Sequence, residues 1–224
     1  LGSTTQLKLA VGAGVARLSG HDLKVRELAD IVGRGRYSAI GTYGFDRGGF
    51  ILEGGKSFPE EIPPVTAYYD IREDWRFLMV CPKIEQSYDE EEEKPIMDEI
   101  RTDSKFAEKI CHHIVMGVLP TVKTGDYKEF GKHITQIQHQ VGESFSSCQQ
   151  GSEFHPAVIN IEDKLEKLTF GAGQSSWGPT VYGITNDEKG EKAKAMIERW
   201  LDKKKIEADV KLAEPDNEGA EFID

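Results

Sequence analysis

Apolar side chains recur every three or four residues in several stretches of the chain, which is the period of an amphipathic helix. In the first stretch Leu7, Val11, Val15 and Leu18 share one predicted helical face. Asp22 would cap a second helix that ends near Gly33. The inward residues of the second helix and of the later ones follow the same spacing: Leu23, Leu28 and Ile31; Phe106, Ile110, Ile114 and Val118, ended by Pro120; Phe130, Ile134, Ile137 and Val141; residues 157–168; Ala193, Met196, Ile197, Trp200 and Leu201.

Short apolar runs bounded by turn residues predict strands between these helices. Glycines on both sides of residues 45–47 also predict a hairpin over 44–52. Strands and helices in this order predict an α+β fold, in which a split layer of strands packs against helices. The predicted strands cover residues 65–70, 75–80, 180–185 and 206–212.

The chain has room for two domains and carries a strong negative charge. With 224 residues it can bury a substantial core. Pro59, Pro63 and Pro64 mark a break, so we expect one domain over residues 1–64 and a second over 65–224. The net charge of −11 argues against nucleic acid and anionic membrane surfaces as partners. An anionic small molecule would therefore need a local cationic site or a metal ion.

The sequence predicts neither a membrane span nor a disulfide framework. No apolar run approaches the roughly 18 residues that a span needs. Cys81, Cys111 and Cys148 form no CxxC pair, which fits a protein of the reducing cytoplasm. No secretory signal is visible, and because the chain starts at Leu1 we expect the natural protein to have an upstream part. The sequence is compatible with a homodimer.

The stretch GAGQSSWGPTVYG, residues 171–183, combines glycines, serines and a proline ahead of a strand. Such a composition does not form a helix and predicts a loop that feeds the strand. Glycines let a ligand approach the main chain, and N–H groups left outside regular structure bind anions. The stretch therefore indicates a phosphate site. The alternative is a glycine-rich hairpin that only reverses the chain.

A second phosphate site is predicted where Gly2, Ser3, Thr4 and Thr5 lead into the first helix. The first N–H groups of a helix and its dipole favour an anion. The alternative is a local capping box, because Gln6 follows Ser3 at the required spacing.

Arginines and histidines offer further candidate chemistry. Arg34, Arg36 and Arg47 lie in a glycine-rich stretch and could supply the positive charge that an anion needs. The alternative is that each pairs with a surface carboxylate.

None of the histidines at 112, 113, 133 and 139 has the i, i+4 spacing of a helical zinc pair, so the sequence favours ordinary core or surface roles for them.

The segment LGSTTQ, residues 1–6, resembles the phosphate-binding second motif of the GHMP kinase superfamily, and Gly171 to Gly173 stand where that superfamily has its third motif. The longer strings GRGRYSAIGTYGFDRGGFILEGG and GAGQSSWGPTVYGI are similar to the β-ribofuranosylaminobenzene 5′-phosphate synthase family of archaeal methanopterin biosynthesis. This resemblance implies a GHMP kinase-like two-lobe fold, with part of a ribosomal S5 domain 2-like N-terminal lobe and a ferredoxin-like C-terminal lobe. Catalytic residues in the first motif would lie upstream of Leu1.

The chain departs from the kinases of that superfamily at two motifs. Where kinases have a Ser-Gly-x-Asp element, this chain has Ser38, Ala39, Ile40 and Gly41. A glycine cannot accept a proton from an alcohol. The third motif continues as residues 174–177, QSSW, in place of the glycines and small residues of the kinases. Both departures argue against phosphoryl transfer from ATP.

The resemblance implies a condensation of 5-phosphoribosyl 1-pyrophosphate with 4-aminobenzoate or 4-hydroxybenzoate, which releases CO2 and pyrophosphate. It implies Mg2+ as cofactor and these small molecules as partners. A kinase of the same fold and an inactive ligand-binding module are the alternatives. The candidate phosphate-binding residues are Gly2, Ser3, Thr4, Thr5, Gly171, Gly173, Ser175 and Ser176, and the candidate substrate-binding residues are Arg34, Arg36, Gln174 and Trp177.

Overall fold

The computed structural model describes residues 3–58, 61–84, 104–144, 155–176 and 178–223. The chain divides into two compact units, one formed by Leu1–Arg72 with Pro215–Asp224 and the other by Glu73–Glu214. This division by contacts comes after Arg72, whereas the sequence places the domain boundary after residue 64. The sequence-based boundary stays a prediction.

The first unit packs three helices around a small apolar core. Leu9, Leu28, Ala29, Ala39, Tyr43 and Ile62 form this core. A two-stranded antiparallel sheet completes the unit. Its elements are α1 (Ser3–Leu18), α2 (Val25–Ile31), α3 (Ile40–Arg47), β1 (Phe50–Glu53) and β2 (Val65–Tyr69).

The cap predicted for α2 and the hairpin predicted around α3 are both wrong. The predicted hairpin over residues 44–52 is a helix followed by a strand, because Gly48 and Gly49 have φ values of 61° and 69° and so end α3 immediately before β1. The cap of α2 is Lys24 and not Asp22, since the Lys24 N–H donates to the Glu27 carboxylate at 2.9 Å.

The apolar face predicted for α1 lies on the surface of the described structure. Leu7, Val11, Val15 and Leu18 are exposed by 59% or more, whereas Leu9 on another face is fully buried. The helix itself is confirmed. Periodicity therefore located the helix correctly, but it did not identify the side that packs on the core.

The second unit contains an antiparallel sheet of four strands, in the order β4 (Gly171–Gln174), β5 (Val181–Asn186), β3 (Trp75–Pro82) and β6 (Ala208–Ala213). Helices connect β3 to β4 and β5 to β6 along the chain. This strand order with these connections is that of a ferredoxin-like split β-α-β unit. Its elements are β3 (Trp75–Pro82), α4 (Ser104–His113), a π-helix (Ile114–Val118), α5 (Leu119–Thr124), α6 (Tyr127–Ser144), α7 (Pro156–Leu168), β4 (Gly171–Gln174), β5 (Val181–Asn186), α8 (Asp187–Lys204) and β6 (Ala208–Ala213).

The core of this unit lies between the sheet and the helices α7 and α8. Leu78 and Val80 of β3 meet Ile161 and Leu165 of α7, and all four are fully buried. Ala193, Ile197 and Leu201 of α8 are buried in the same cluster. The predicted strands at 75–80, 180–185 and 206–212 and the predicted α+β class are thus confirmed.

Pro120 does not end the helix that precedes it, so that prediction is wrong. The chain passes from α4 through the π-helix, where the Leu119 N–H bonds the Ile114 carbonyl, and Pro120 then stands in the first turn of α5. A proline is tolerated there because the first N–H groups of a helix have no intrahelical acceptor. Helix α4 packs against α6 in the described structure.

The C-terminal segment returns to the first unit. Asn217 exchanges two hydrogen bonds of 2.8 Å with the backbone of Ile71, and the Ala220 N–H donates to the Phe45 carbonyl. These bonds attach the described residues of the segment to the first unit. None of the described helices is long and apolar enough to cross a membrane.

Candidate functional site

The structure brings two predicted site residues together in the first unit. Thr5 is buried in the first turn of α1, and its hydroxyl oxygen accepts hydrogen bonds from Nε and a terminal nitrogen of Arg34, at 3.0 and 2.7 Å. Arg34 itself is only half-buried. A guanidinium is thereby held beside the N-terminal turn of a helix, where its charge and the helix dipole both favour an anion.

Gly41 in the second position of α3 packs against the same threonine. A Cβ atom at Gly41 would lie 3.1 Å from the Thr5 methyl group. The Gln6 side-chain amide donates to the Gly41 carbonyl at 2.8 Å, which further ties α1 to α3. An aspartate at this position would therefore require Thr5 to shift.

Other predicted residues of the first unit lie on its surface. Ser3 and Thr4 are exposed in the first turn of α1, while Gly2 lies outside the described residues. Arg36 forms an ion pair of 2.9 Å with Asp30, and both side chains are largely exposed. The pairing agrees with the alternative that the sequence left open for each arginine. A substrate contact by Arg36 stays a prediction.

Residues 171–174 form the strand β4, so the predicted loop is wrong in this part. A Cβ at Gly171 would collide with the backbone of Gly131 in α6. A Cβ at Gly173 would lie 2.8 Å from the Tyr182 hydroxyl and 3.0 Å from Oε1 of Gln138. The two glycines are therefore explained by the close packing of α6 and Tyr182 on β4.

The outer edge of β4 is paired with α6. The Thr135 hydroxyl accepts from the Ala172 N–H at 2.9 Å and donates to the Ala172 carbonyl at 3.2 Å. Backbone groups of the predicted phosphate loop are thus already used in packing. Phosphate contacts by Gly171 and Gly173 stay a prediction.

The turn after β4 closes a hairpin and exposes two serines. The Ser175 N–H donates to the Thr180 carbonyl at 2.8 Å, and the Gln174 side-chain amide donates to the Gly178 carbonyl at 3.1 Å. Ser175 is half-buried, and Ser176 is exposed with a φ of 52°. Trp177 lies outside the described residues. The hydroxyls of this turn are better placed for a ligand than the glycines before it.

Two cavities of the described structure lie away from these residues. One, of about 430 Å³, lies in the first unit beside Arg17, His21 and Phe222. The other, of about 330 Å³, lies in the second unit beside Tyr127, Lys128, Phe170 and Lys189. Burial, and then the charge of Lys128, lowers the pKa of Lys189.

Sequence reasoning missed one constellation of chemical groups. His139, Glu162 and Glu166 come together from α6 and α7, with His139 Nε2 only 3.0 Å from a Glu166 oxygen. The i, i+4 spacing of the two glutamates was visible in the sequence. The position of the histidine on another helix was not.

Residues 118–203 match the family model described as GHMP kinases C terminal. The beta-ribofuranosylphenol 5′-phosphate synthase of Methanothermobacter thermautotrophicus is 35% identical over 213 residues, which cover 88% of this chain and 63% of that protein. The protein of the same name from Archaeoglobus fulgidus is 32% identical over 91% of this chain and 66% of its own length. The chain thus spans slightly less than two thirds of these relatives.

Solved structures agree on the fold. The homoserine kinase of Cytophaga hutchinsonii superposes with a TM-score of 0.68 at 16% identity, covering 92% of this chain and 62% of that one. Identity this low shows the fold alone. The GHMP kinase-like fold that the resemblance implied is confirmed. The similarity to the beta-ribofuranosylphenol 5′-phosphate synthases also confirms the resemblance on which that fold was predicted.

Proposed function

We propose that this chain, which has the fold of the GHMP kinases and is 32–35% identical to two archaeal synthases, belongs to an enzyme that makes a β-ribofuranosylphenol 5′-phosphate. The observation that carries the proposal is this identity over about nine tenths of the chain. The names of the relatives favour 4-hydroxybenzoate as the aromatic acid, because its decarboxylation leaves a phenol. With 4-aminobenzoate the product would be an aniline.

The proposed reaction forms one carbon–carbon bond and breaks two bonds. The ring carbon that bears the carboxylate attacks C1 of the phosphoribosyl group, and the bond from C1 to the pyrophosphate oxygen breaks. The carbon–carboxylate bond then breaks, CO2 leaves, and its electron pair restores the aromatic ring. The atoms and electrons balance without an oxidant or reductant.

The first turn of α1 supports the binding of one anionic group of the phosphoribosyl substrate. Thr5 fixes the Arg34 guanidinium there through two hydrogen bonds. Ser3 and Thr4 offer exposed hydroxyls in the same turn, and we assign Gly2 to the same site. Donors fixed before the reaction stabilise developing negative charge without reorganising, which is how this turn would lower the barrier.

The hairpin turn of the second unit supports the binding of an anionic group. We assign this contact to the hydroxyls of Ser175 and Ser176, and we assign to Gly171 and Gly173 the task of letting α6 hold the turn in place. Gln174 stabilises the turn from inside by its bond to Gly178. Trp177 is proposed to stack on an aromatic ring. Arg36 is proposed to attract a carboxylate.

In the proposed reaction, Mg2+ would be bound by the substrate more than by the residues assigned here. The proposed phosphate contacts are hydroxyls and N–H groups, whereas Mg2+ prefers carboxylate and phosphate oxygens. The pyrophosphate would therefore supply most of the ligands. When bound, the ion neutralises charge on the leaving pyrophosphate.

A kinase is the second candidate, because the structural neighbours include kinases. Against it, Gly41 stands where the resemblance places the kinase aspartate, and Thr5 packs directly on that position. The hydroxyl of an alcohol substrate would meet no proton acceptor from Gly41.

The test is a paired assay on the full natural polypeptide. With phosphoribosyl pyrophosphate and carboxyl-labelled 4-hydroxybenzoate, we expect equal amounts of labelled CO2 and pyrophosphate, and slower release with 4-aminobenzoate. ADP formation with ATP and an alcohol, in place of pyrophosphate release, would establish the kinase. Binding of phosphoribosyl pyrophosphate without any release of products would establish an inactive binding module.

A further inference from the structure

A histidine and two glutamates meet between the helices α6 and α7 of the second unit. His139 comes from α6, and Glu162 and Glu166 come from α7. Each residue offers one ligand atom, and these atoms all lie within 4.8 Å of one another. The shortest separation is 3.0 Å, between Nε2 of His139 and Oε1 of Glu166.

The backbone holds the three groups on rigid elements. Glu162 and Glu166 are one helical turn apart, so they project from the same side of α7. Their neighbours Ile161 and Leu165 are fully buried in the core and fix the rotation of this helix. Thr135, one turn before His139, anchors α6 to β4 through its two bonds to Ala172. A ligand set carried by packed helices keeps its geometry.

Glu162 is the unusual member of the cluster, because only 3% of it is exposed. A buried carboxylate is costly unless positive charge compensates it. A cation bound beside Glu162 would offset the cost of burying this carboxylate.

The other two ligands leave a path from solvent. The side chain of His139 is 42% exposed and that of Glu166 is 30% exposed. Their separation of 3.0 Å suits two ligands of one ion, since zinc bonds to nitrogen and oxygen are about 2.0–2.2 Å long.

We propose that His139, Glu162 and Glu166 bind a divalent transition-metal ion such as Zn2+, with water at the remaining positions. One imidazole nitrogen and two carboxylates suit Zn2+, Mn2+ or Fe2+ better than Mg2+, which prefers oxygen ligands only. The ion would link α6 to α7 and stabilise the second unit by mass action. The proposal does not depend on the proposed reaction.

Calorimetric titration of chelator-treated protein with ZnCl2, and separately with MgCl2, tests the proposal. We expect one saturable Zn2+ site that Mg2+ does not occupy. Glu162→Gln and His139→Ala should each weaken Zn2+ binding at least about tenfold. His113→Ala is the matched control, because His113 lies on α4 and pairs with His133 at 3.0 Å.

Two further readouts separate this site from other metal-binding groups. Co2+ bound in place of Zn2+ should give visible absorption bands without a thiolate charge-transfer band, which a site at the exposed Cys111 would produce. Zn2+ should raise the melting temperature of the wild type but not that of folded Glu162→Gln. No saturable Zn2+ binding by the wild type, or equal binding by wild type, His139→Ala and Glu162→Gln, would overturn the proposal. Should Glu162→Gln fail to fold, Glu166→Gln at the half-buried position replaces it.

Discussion

The first turn of α1 and the strand β4 are both rich in small residues, but the two regions use them differently. Around α1 a buried hydroxyl, Thr5, holds a half-buried guanidinium, Arg34. Along β4 the glycines admit the backbone of α6, and Thr135 bonds the strand edge. A glycine-rich sequence therefore marks close packing as readily as it marks a ligand site, and only the neighbours distinguish the two.

The largest expected effect is on stability, at Gly171. Gly171→Ala places a methyl group against the backbone of Gly131, which cannot move without displacing α6 from β4. We expect a loss of about 3 kcal/mol in the free energy of unfolding, measured by urea denaturation. Gly178→Ala in the same hairpin is the control, since its Cβ would be no closer than 3.6 Å to the Ser175 carbonyl and should cost little. Equal stability of the two variants would remove the packing role of Gly171.

A smaller loss is expected at Thr5. Thr5→Val keeps the methyl group that packs on Gly41 but removes the hydroxyl that accepts two bonds from Arg34. Because hydrogen bonds to charged groups contribute about 1.5–3 kcal/mol, we expect a decrease in that range. Thr4→Val changes an exposed position of the same turn and should leave urea denaturation nearly unchanged. A Thr5→Val protein as stable as Thr4→Val would show that the Arg34 bonds are not stabilising.

The smallest expected effect is on turnover, at the hairpin turn. Ser175→Ala combined with Ser176→Ala removes two hydroxyls that we propose contact the substrate, while the backbone bond from Ser175 to Thr180 stays. We expect kcat to fall about tenfold, as for the loss of about 1.4 kcal/mol of transition-state stabilisation. Far-UV circular dichroism checks that the fold is intact. Unchanged kcat in the folded double variant would place these hydroxyls outside the site.

Much of the fold can be predicted from the sequence, because the burial of one face gives each helix or strand a regular spacing of apolar residues. The strands at 75–80 and 206–212 and the helix over 157–168 have apolar residues that meet in one core. The hairpin prediction at 44–52 failed because Gly44 lies inside α3, whereas Gly48 ends the helix. Among the described residues, no atom lies within 4 Å of a Cβ placed at Gly44. Local composition does not separate these two uses of glycine.

The site was less predictable than the fold, since it depends on pairs far apart in sequence. The sequence predicts Arg34 as a substrate ligand, but it does not show that Thr5, 29 residues away, holds the guanidinium. The face of α1 that carries Leu7 and Val11 has helical spacing, yet it lies exposed in the described structure. His139 gave no zinc signal by spacing, because its glutamate partners are on another helix.

Thr5 holds Arg34 at the first turn of α1, where we propose that it binds an anion, whereas Arg36 forms a surface ion pair with Asp30. Titration calorimetry with phosphoribosyl pyrophosphate, on the full natural polypeptide and its Arg34→Gln and Arg36→Gln variants, tests this claim most directly. Since a charge-assisted contact contributes about 1.5–3 kcal/mol, we predict that Arg34→Gln weakens binding at least about tenfold. Arg36→Gln should change it less than about threefold. Equal affinity of wild type and folded Arg34→Gln, or a larger loss in Arg36→Gln, would contradict the account.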